Sequence, residues 1–577
     1  MQDYEESVAF LGTWGPFQRR VFILLCLTSI PCGYNILSVI FLLASPSHHC
    51  YIPTQSNLSQ DWIEASIPVQ EEAGKQERSS CSRYELDLVK NLSALGIGPG
   101  LEPVHNLSVL ASGPESVFSN LNQEGCKDGW TYSTEHYQCT VVTEFNLVCS
   151  DQWKQPLTSF VYFLGGLTGC LFSGQISDRF GRKPVLFGGI GILSVFSCAL
   201  AFAPSWPIFT VLFFMMGLGQ IACYIVVFVL GSEILIGSTR VLFSNMALPI
   251  IYTTGMMVLP GTAYLVRNWR HLSLIMAVPG LACIPLWWLV PESPRWLLSR
   301  GRLLNADLLL RAAALENKVE APKVIFLPSK GDEAASQKAK SLGFLDLLRT
   351  RNIRNMTLVQ WLIWFSVSVS YFGLSFNMSS IYGSPFLNYF LLTVVELPAY
   401  TASWLAARSF PRRLSFISFT LLGALALLLI QITKHSHLAV TLTLVLVGKF
   451  GILAGTGMLY TFTGELSPTV IRNTAMSSCA TFSRVGSSVS PYLMQLAVFY
   501  QFLPWIVVGV LSLLSVVLSL FLPETFRQPL PDTIEQMAQT QRFRWPWAST
   551  PPPKDDGKST KDQIAETAPD IICSTQL

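Results

Sequence analysis

The chain has 577 residues, of which 50% are hydrophobic and 13% are charged, and its formal net charge is +3. Soluble domains carry about 25% charged residues, so this chain has too little charge to cover a water-exposed surface of its size. The composition therefore argues against a soluble enzyme, a nucleic-acid-binding protein or a disordered scaffold. It predicts a protein that crosses a lipid bilayer several times.

Twelve long apolar segments follow one another along the chain. A spanning helix takes roughly 20 apolar residues, and each segment has about this length with almost no charge. They lie at 20–43, 156–176, 185–203, 207–231, 242–265, 272–290, 355–376, 385–407, 414–434, 438–462, 475–498 and 503–522. The sequence therefore predicts an all-α polytopic membrane protein with twelve transmembrane helices.

The connecting segments predict the orientation of the chain. The second long loop holds 12 Lys and Arg in 64 residues, which favours the cytosolic side, although the short loop 267–271 carries two arginines on the opposite side. We predict a cytosolic N-terminus (1–19), a first helix (20–43), a glycosylated extracellular loop (44–155), helices two to six (156–290), a cytosolic loop (291–354), helices seven to twelve (355–522) and a cytosolic tail (523–577).

The loop at 44–155 has features of an extracellular segment. Three Asn-x-Ser triplets are candidate glycosylation sites, at Asn57, Asn91 and Asn106. The loop also holds five of the 13 cysteines, which are Cys50, Cys81, Cys126, Cys139 and Cys149. An extracellular address favours disulfides, but five is an odd number. One thiol must stay free or pair with another chain, and the connectivity is open.

The second half of the sequence repeats features of the first. Glu233 and Arg240 recur as Glu465 and Arg472, 232 residues later, and Pro291-Glu292 recurs as Pro523-Glu524 at the same offset. Residues 180–183 (FGRK) recur as 410–413 (FPRR), 230 residues later. Repeats in one register predict two six-helix halves in parallel orientation, which is the architecture of the major facilitator transporters.

Several motifs resemble one branch of that superfamily, the organic cation/carnitine transporters. GQISDRFGRK at 174–183 is similar to the superfamily signature after the second helix, and PESPRWL at 291–297 to the motif that closes the sixth. The segments at 3–19, 143–149 and 530–536 and the long first loop also resemble this group. The resemblance covers nearly the whole chain and implies a transporter, as in the carnitine and ergothioneine carriers.

The charged residues that recur in both halves at the cytosolic helix ends are candidate gating residues. We expect them to pair when the cytosolic side is closed and to separate when it opens, whereas the alternative is solvated charge that only sets topology. The candidates are Asp178, Arg179, Arg182, Glu233 and Arg240 in the first half, and Arg412, Arg413, Glu465 and Arg472 in the second.

Three ionisable residues lie well inside predicted spans, where each is costly unless paired or hydrated. Glu396 and Lys449 have opposite charge, so a structural ion pair is expected, with a role toward substrate or an ion as the alternative. Arg484 then lacks an obvious partner other than Glu396. A guanidinium in a central cavity would bind a carboxylate, and the resemblance agrees, since carnitine-type and anion-type carriers have Arg there while pure-cation carriers have an acidic residue.

A quaternary ammonium group is best held by aromatic rings. Candidate ring residues are Tyr224, Tyr252, Trp361, Trp364, Tyr371 and Tyr460, with Gln220 as a further substrate contact. Packing or an interfacial belt is the alternative for any one of them, and the resemblance favours the three tyrosines Tyr224, Tyr252 and Tyr460. Together with Arg484, the set predicts a betaine-like substrate.

The predicted function is therefore plasma-membrane transport of small zwitterionic or cationic organic solutes by alternating access. The sequence offers no catalytic triad, no metal-ligand spacing and no cofactor motif. Na⁺ is the candidate coupling ion by resemblance, but Cys32 and Cys223 replace asparagines there, and thiols are poor ligands for hard cations. The alternatives are an organic-anion transporter or exchanger that uses Arg484, and a non-transporting receptor or scaffold. The C-terminal STQL fits a PDZ-domain ligand.

Overall fold

The computed structural model describes residues 7–56, 58–72, 75–94, 122–322, 325, 347–378, 383–432, 438–468, 471–500, 502–526 and 537. The glycosylation candidates Asn57 and Asn106 and the C-terminal STQL lie outside these residues. Within them, long helices carry most of the chain, and they form the major facilitator fold that the repeat predicted.

In the described residues, twelve helices follow the predicted order. The first six are α1 (Pro16–Leu42), α2 (Lys154–Phe180), α3 (Arg182–Leu200), α4 (Trp206–Ile234), α5 (Gly237–Leu265) and α6 (Trp269–Trp288). The second six are α7 (Arg351–Asn377), α8 (Pro385–Ser409), α9 (Arg412–Leu429), α10 (Leu438–Leu466), α11 (Arg472–Val489, continued as a 3₁₀ helix over Ser490–Val498) and α12 (Leu503–Ser519). Five of them (α1, α5, α6, α8 and α11) contain a short turn or change to another helix type.

In the described part of the chain, ten of these helices are long and apolar enough to cross a membrane by length and composition. The exceptions are α11 and α12. The first is rich in Ser and Thr and carries Arg484, whereas the second is apolar but has only 17 residues. A polar helix such as α11 is stable at membrane depth when it faces protein or a water-filled cavity instead of lipid.

The helices pack as two similar halves. In the first, α4 packs on α2 and α3 while α1 packs on α5; in the second, α9 packs on α10 and α12 while α7 packs on α11 and α12. The halves meet where α2 contacts α11 and α5 contacts α8. We call the side that bears the loop between α1 and α2 the loop face, and the side where α1 begins and α12 ends the terminal face.

Small residues set the closest helix contacts. A Cβ atom added to Gly33 on α1 would lie 1.9 Å from the carbonyl oxygen of Tyr252 on α5, and one added to Gly217 on α4 would lie 2.2 Å from that of Tyr162 on α2. Only glycine fits at such distances. These two glycines therefore set the close spacing between α1 and α5 and between α4 and α2.

The terminal face carries short helices that fasten the start of α1. They are the 3₁₀ helix Ala9–Leu11 and the helices Pro294–Ser299 and Leu303–Asn317. Arg20 pairs with Glu316 at 2.8 Å, and the Asn317 side chain accepts a hydrogen bond from the Phe17 N–H at 2.8 Å.

The loop between α1 and α2 contains strands that the sequence analysis did not predict. They form three antiparallel pairs: β1 (His48–Cys50) with β6 (Trp130–Tyr132), β2 (Val69–Glu72) with β3 (Lys75–Arg78), and β4 (Ser82–Tyr84) with β5 (Gln123–Gly125). Helices in this loop are Thr54–Ser56, Gln60–Ala65, Leu86–Ala94, Val141–Glu144 and Cys149–Asp151. The exposed Asn91 lies on one of them.

Two disulfides hold this loop together. Cys50 bonds to Cys126 and Cys81 bonds to Cys149. Cys139 keeps its thiol, which lies 3.6 Å from a carboxylate oxygen of Glu144. Of the pairings that the sequence left open, the structure has these two disulfides, and Cys139 is the cysteine of the loop that stays unpaired.

Glu144 fastens the loop to the start of α6. Its carboxylate accepts hydrogen bonds from Trp269 Nε1 at 2.7 Å and from the guanidinium of Arg270. Arg270 also donates to the carbonyl oxygens of Ala201 and Ala203, which follow α3. Arg270 is one of the two arginines of the 267–271 loop that disagree with the positive-inside pattern. Its charge is therefore compensated by Glu144 within the loop face.

These contacts also set the charge state of Glu144. Burial raises its pKa, but the hydrogen bonds from Arg270 and Trp269 outweigh burial and hold the pKa below its ordinary value. A group with a depressed folded-state pKa contributes stability above its unfolded pKa, and that contribution is lost as pH falls through the folded pKa.

We therefore expect Glu144→Gln to lower the free energy of unfolding by about 2 kcal/mol at neutral pH, because two charge-assisted hydrogen bonds are weakened. The difference from wild type should shrink as the pH is lowered into the acidic range. Thermal unfolding of detergent-purified protein at several pH values measures this. Glu64→Gln is the control, since its ion pair with Arg78 is exposed and such pairs contribute little. A difference from wild type that is constant with pH would contradict the role of the Glu144 charge.

Candidate functional site

Arg484 lies near the middle of α11, between the two halves. Its side chain is partly exposed, and in the described residues no carboxylate pairs with it and no hydrogen bond from its guanidinium is present. Its charge interacts electrostatically with three tyrosines of the first half and one of the second, which are Tyr162, Tyr224, Tyr252 and Tyr460. The guanidinium is therefore available to an anionic group.

Tyrosines from both halves surround this position. The rings of Tyr224 and Tyr252 are 4.8 Å apart in the first half. Tyr460 of the second half is 50% exposed, although it interacts electrostatically with Tyr224 and packs edge-on against Trp364 at 4.5 Å. The Tyr460 side chain therefore keeps accessible surface although it packs among rings of both halves.

Tyr400 belongs to the same set, but the sequence analysis missed it. It is partly buried on α8 and interacts electrostatically with Tyr224, Tyr252 and Tyr460. Its signal was its position one helical turn after Glu396, the intramembrane carboxylate. We call Tyr224, Tyr252, Tyr400 and Tyr460 the tyrosine ring.

Glu396 and Lys449 form a buried ion pair beside the ring, at 3.2 Å between Nζ and Oε1. Tyr371 donates a hydrogen bond to Glu396 at 2.6 Å, and Lys449 donates to Ser375 at 2.9 Å. Thr253 on α5 donates to Glu396 at 3.3 Å and so links the two halves. Both charges are satisfied, which excludes the salt bridge between Arg484 and Glu396 in this structure.

A break in α8 positions Glu396. Pro398 has no N–H to donate to the carbonyl of Val394, and the helix is interrupted between Val394 and Glu396. The carboxylate therefore stands at the first position after the interruption, where it reaches α7, α10 and α5 together.

Three of the predicted substrate contacts are engaged by other groups of the protein. Gln220 is fully buried and donates to Cys32 O at 3.1 Å and to Tyr252 Oη at 3.2 Å. Trp364 is 2% exposed and donates to Thr463, so it supports Tyr460 from behind. Tyr371 is engaged by Glu396 and by Lys449, whose Nζ lies 3.3 Å from the ring centroid. Their contact with substrate stays a prediction, and the protein contacts place Gln220 and Trp364 directly beside the tyrosines Tyr252 and Tyr460.

Trp361, the remaining aromatic candidate, also packs inside the second half. It is 8% exposed, stacks on Phe482 at 4.4 Å and donates to Ser478 at 2.9 Å. Trp361 therefore contributes to helix packing, the alternative role given above. Tyr224, Tyr252 and Tyr460 are the aromatic candidates near Arg484.

Aromatic contacts between the halves close the loop face. Phe41 stacks on Phe386 at 5.7 Å, and Phe163 meets Phe372 at 5.0 Å and Phe376 at 5.9 Å. We call Phe41, Phe163, Phe372, Phe376 and Phe386 the aromatic seam. On the other side of Arg484, α11 presents a polar row that is open to solvent, with Ser477 exposed and Thr481 and Arg484 partly exposed. The site is therefore reached from the terminal face.

The charges at the terminal face form one cluster in each half. Arg182 binds Glu233 at 2.9 Å and Asp178 at 2.5 Å, and Glu292 accepts the N–H groups of Arg182 and Lys183. The second half repeats this arrangement: Arg412 binds Glu465 at 3.0 Å, and Glu524 accepts the N–H groups of Arg412 and Arg413. Glu292 and Glu524 were noted only as repeat markers, yet each satisfies the first N–H groups of a helix.

These clusters differ from the predicted gate. Both members of each pair belong to one half, so the halves can move apart without separating them, and the expectation that the pairs break on opening is not supported. Arg179 is exposed and lies over the Phe180 ring, Arg413 donates to Leu522 O, Arg472 donates to Ser467 O, and Arg240 lies at the start of α5.

We expect Arg182→Ala to destabilise the first half by about 3 kcal/mol, because it leaves the largely buried Glu233 without its partner. Arg179→Ala removes the same charge from the exposed neighbour and should melt like wild type. Thermal unfolding of the purified variants tests this expectation. Equal melting of Arg182→Ala and wild type would show that the cluster does not tie the helix ends together.

Comparison with known proteins agrees with this architecture. The sequence matches the "Sugar (and other) transporter" family over residues 113–537. It is 44% identical to the rat protein named organic cation/carnitine transporter 2 over 98% of this chain and 100% of that protein. It is 44% identical to mouse solute carrier family 22 member 4 over 94% of this chain and 96% of that protein, and 33% identical to a Drosophila melanogaster organic cation transporter protein over 92% and 94%.

Solved structures show the same fold at low identity. The inward-open xylose transporter XylE of E. coli aligns with a TM-score of 0.55 at 13% identity, covering 91% of this chain and 100% of that one. The family and the fold are those of membrane transporters and not of enzymes. The chain is thus a multi-pass membrane transporter of the major facilitator superfamily and belongs to the organic cation/carnitine transporter family.

Proposed function

We propose that this transporter carries small organic zwitterions that combine an ammonium group with a carboxylate, such as carnitine- or ergothioneine-like solutes. The observation that carries the proposal is Arg484, which has no carboxylate partner in the described residues and whose charge reaches three members of the tyrosine ring, Tyr224, Tyr252 and Tyr460. A guanidinium fork fits a carboxylate, and tyrosine faces attract an ammonium group that has no hydrogen to donate. The names of the curated relatives, organic cation/carnitine transporter 2 among them, support this substrate class.

The orientation follows from the chemistry of the two faces. Disulfides persist in oxidising surroundings, so the loop face with its two disulfides and the exposed Asn91 is assigned to the extracellular side of the plasma membrane. Both termini are then cytosolic. With the aromatic seam closed and the α11 row open, the structure corresponds to an inward-facing state of an alternating-access cycle.

The region matching the sodium site of the resembling carriers does not fit Na⁺. Cys32 and Cys223 are fully buried there, and both thiols point to the carbonyl oxygen of Thr28, at 4.0 and 3.9 Å. In the described residues, Asn35 Oδ1 and Gln220 Oε1 are buried without hydrogen-bond partners, but the two positions where the resembling carriers have amide oxygens hold thiols, which are poor ligands for a hard cation. We therefore propose that uptake does not require Na⁺, and no mechanistic step is derived through it.

The alternatives are disfavoured by particular contacts. A carrier of simple organic anions needs Arg484 but not a ring of four tyrosines from both halves. A non-transporting receptor or scaffold has no need for a solvent-filled site at membrane depth that one face closes and the other opens. A PDZ-domain partner at the cytosolic tail is compatible with transport and stays a separate prediction.

Uptake of labelled L-carnitine, ergothioneine, tetraethylammonium and an organic anion into cells that express the chain tests the proposal, with Na⁺ present and with Na⁺ replaced. We expect zwitterion uptake in both media. Surface expression without any uptake would overturn the transport proposal, and loss of carnitine uptake on Na⁺ replacement would overturn Na⁺ independence.

A further inference from the structure

A second cavity lies on the loop face, outside the aromatic seam. Its volume is about 830 Å³, and both halves contribute to its walls. The first half supplies residues around the end of α1, the segment Ser133–Tyr137 and the start of α2; the second supplies Phe376, the segment 383–385, Pro491 and Gln495. We call this cavity the vestibule.

The seam forms the inner wall of the vestibule. Phe376, which lines the cavity, touches Phe163 on α2, and Tyr137, which also lines it, packs against Phe386 at 5.4 Å. The vestibule therefore borders the seam, and Arg484 is not among its lining residues. A solute that arrives from the loop face meets the vestibule before the central site.

The charge of the vestibule is opposite to that of the central site. Its described lining contains one carboxylate, Glu135, and neither lysine nor arginine. Arg267 donates to the backbone oxygen of Glu135 but is not part of the lining, and His136 lies 4.0 Å from the Glu135 carboxylate. The remaining polar groups are neutral glutamines and serines, which include Gln152, Gln155 and Gln495.

Aromatic surface accompanies this charge. Tyr137 and Phe376 both line the vestibule, so its walls offer an ammonium group aromatic surface in addition to a carboxylate. A carboxylate-bearing ligand finds neither lysine nor arginine in the described lining, and the basic side chain that is present there, His136, lies beside the Glu135 carboxylate. The chemistry therefore selects organic ammonium ions, whether or not they also carry an acidic group.

We propose that the vestibule is a separate binding site for organic ammonium groups, occupied from the extracellular side while the seam is closed. The assignment rests on the proposed function for the cargo and for the orientation, but not on Arg484. It predicts that a cation without a carboxylate binds here even when the central site cannot use its arginine.

Cysteine accessibility separates the two sites. In a Cys139→Ser/Cys198→Ser background, which removes the two partly exposed free thiols nearest the loop face, Gln152→Cys places a reactive group in the exposed part of the vestibule lining. A membrane-impermeant methanethiosulfonate reagent should label it on intact cells. We expect tetraethylammonium to slow the labelling at least about threefold, and acetate to leave it unchanged. Gln495→Cys is a second reporter from the other half.

Control variants distinguish tetraethylammonium binding in the vestibule from binding at Arg484. Protection by tetraethylammonium should persist in Arg484→Ala and be lost in Glu135→Gln, whereas Asp61→Asn removes an exposed acidic charge outside the vestibule and should keep it. Protection that is absent at both reporters, or that survives Glu135→Gln, would overturn the assignment. Because protection measures binding on the outer surface, it is informative even if the uptake experiments fail.

Discussion

Replacing Arg484 by alanine is expected to abolish uptake of carboxylate-bearing zwitterions and to leave tetraethylammonium transport largely intact. The guanidinium is unpaired and lies among tyrosines of both halves, so its loss removes the partner of the substrate carboxylate without breaking a protein ion pair. A hydrogen bond to a charged group contributes about 1.5–3 kcal/mol, and two of them correspond to a loss of at least about a hundredfold in kcat/KM.

Graded substitutions show whether charge or shape matters. Arg484→Lys keeps the charge but loses the fork, so zwitterion uptake should fall to an intermediate level. Arg484→Asp should repel carboxylates and improve uptake of tetraethylammonium. Initial rates against substrate concentration, corrected for surface expression, measure these effects. Carnitine uptake that is equal in wild type and Arg484→Ala would contradict the carboxylate role.

The second large effect is expected at the buried ion pair. Glu396→Gln leaves the fully buried Lys449 opposite a neutral group, and removal of one partner from a buried pair costs about 3–5 kcal/mol. That loss is of the order of the whole stability of many domains, so the variant should be retained inside the cell.

A double substitution tests whether the pair is structural. Replacing both charges, as in Glu396→Gln with Lys449→Met, removes the uncompensated charge and should restore surface expression at least in part. Surface biotinylation of Glu396→Gln and of the double variant measures this. Restored folding with normal transport would assign the pair to structure alone, whereas normal expression of Glu396→Gln by itself would contradict the expected cost of the unpaired lysine.

The sequence predicted the membrane helices and their two-fold arrangement because both depend on local or repeated features. Apolar runs report each helix directly, and the 232-residue offset between Glu233 and Glu465 recurs in space as two equivalent Arg–Glu clusters. The opposite charges of Glu396 and Lys449 were likewise enough to predict a pair, since neither charge can remain alone in a membrane.

The details of the site required the tertiary structure. Helix rotation decides which aromatic residue faces the cavity, and no periodicity told Tyr400 from Trp364. Rotation is set by contacts such as that of Gly33 with Tyr252, which join residues more than 200 positions apart. The disulfides join cysteines 76 and 68 positions apart, so composition indicated the cysteines but not their partners.

The most direct test of zwitterion recognition compares two ligands that differ only in the carboxylate charge. We suggest measuring the binding of L-carnitine and of its methyl ester to the purified transporter by calorimetry. The ester keeps the trimethylammonium group for the tyrosine ring but offers Arg484 no anion, so we expect it to bind at least about tenfold more weakly. Equal affinity for the two ligands would contradict the account, because Arg484 would then have no part in recognising the substrate.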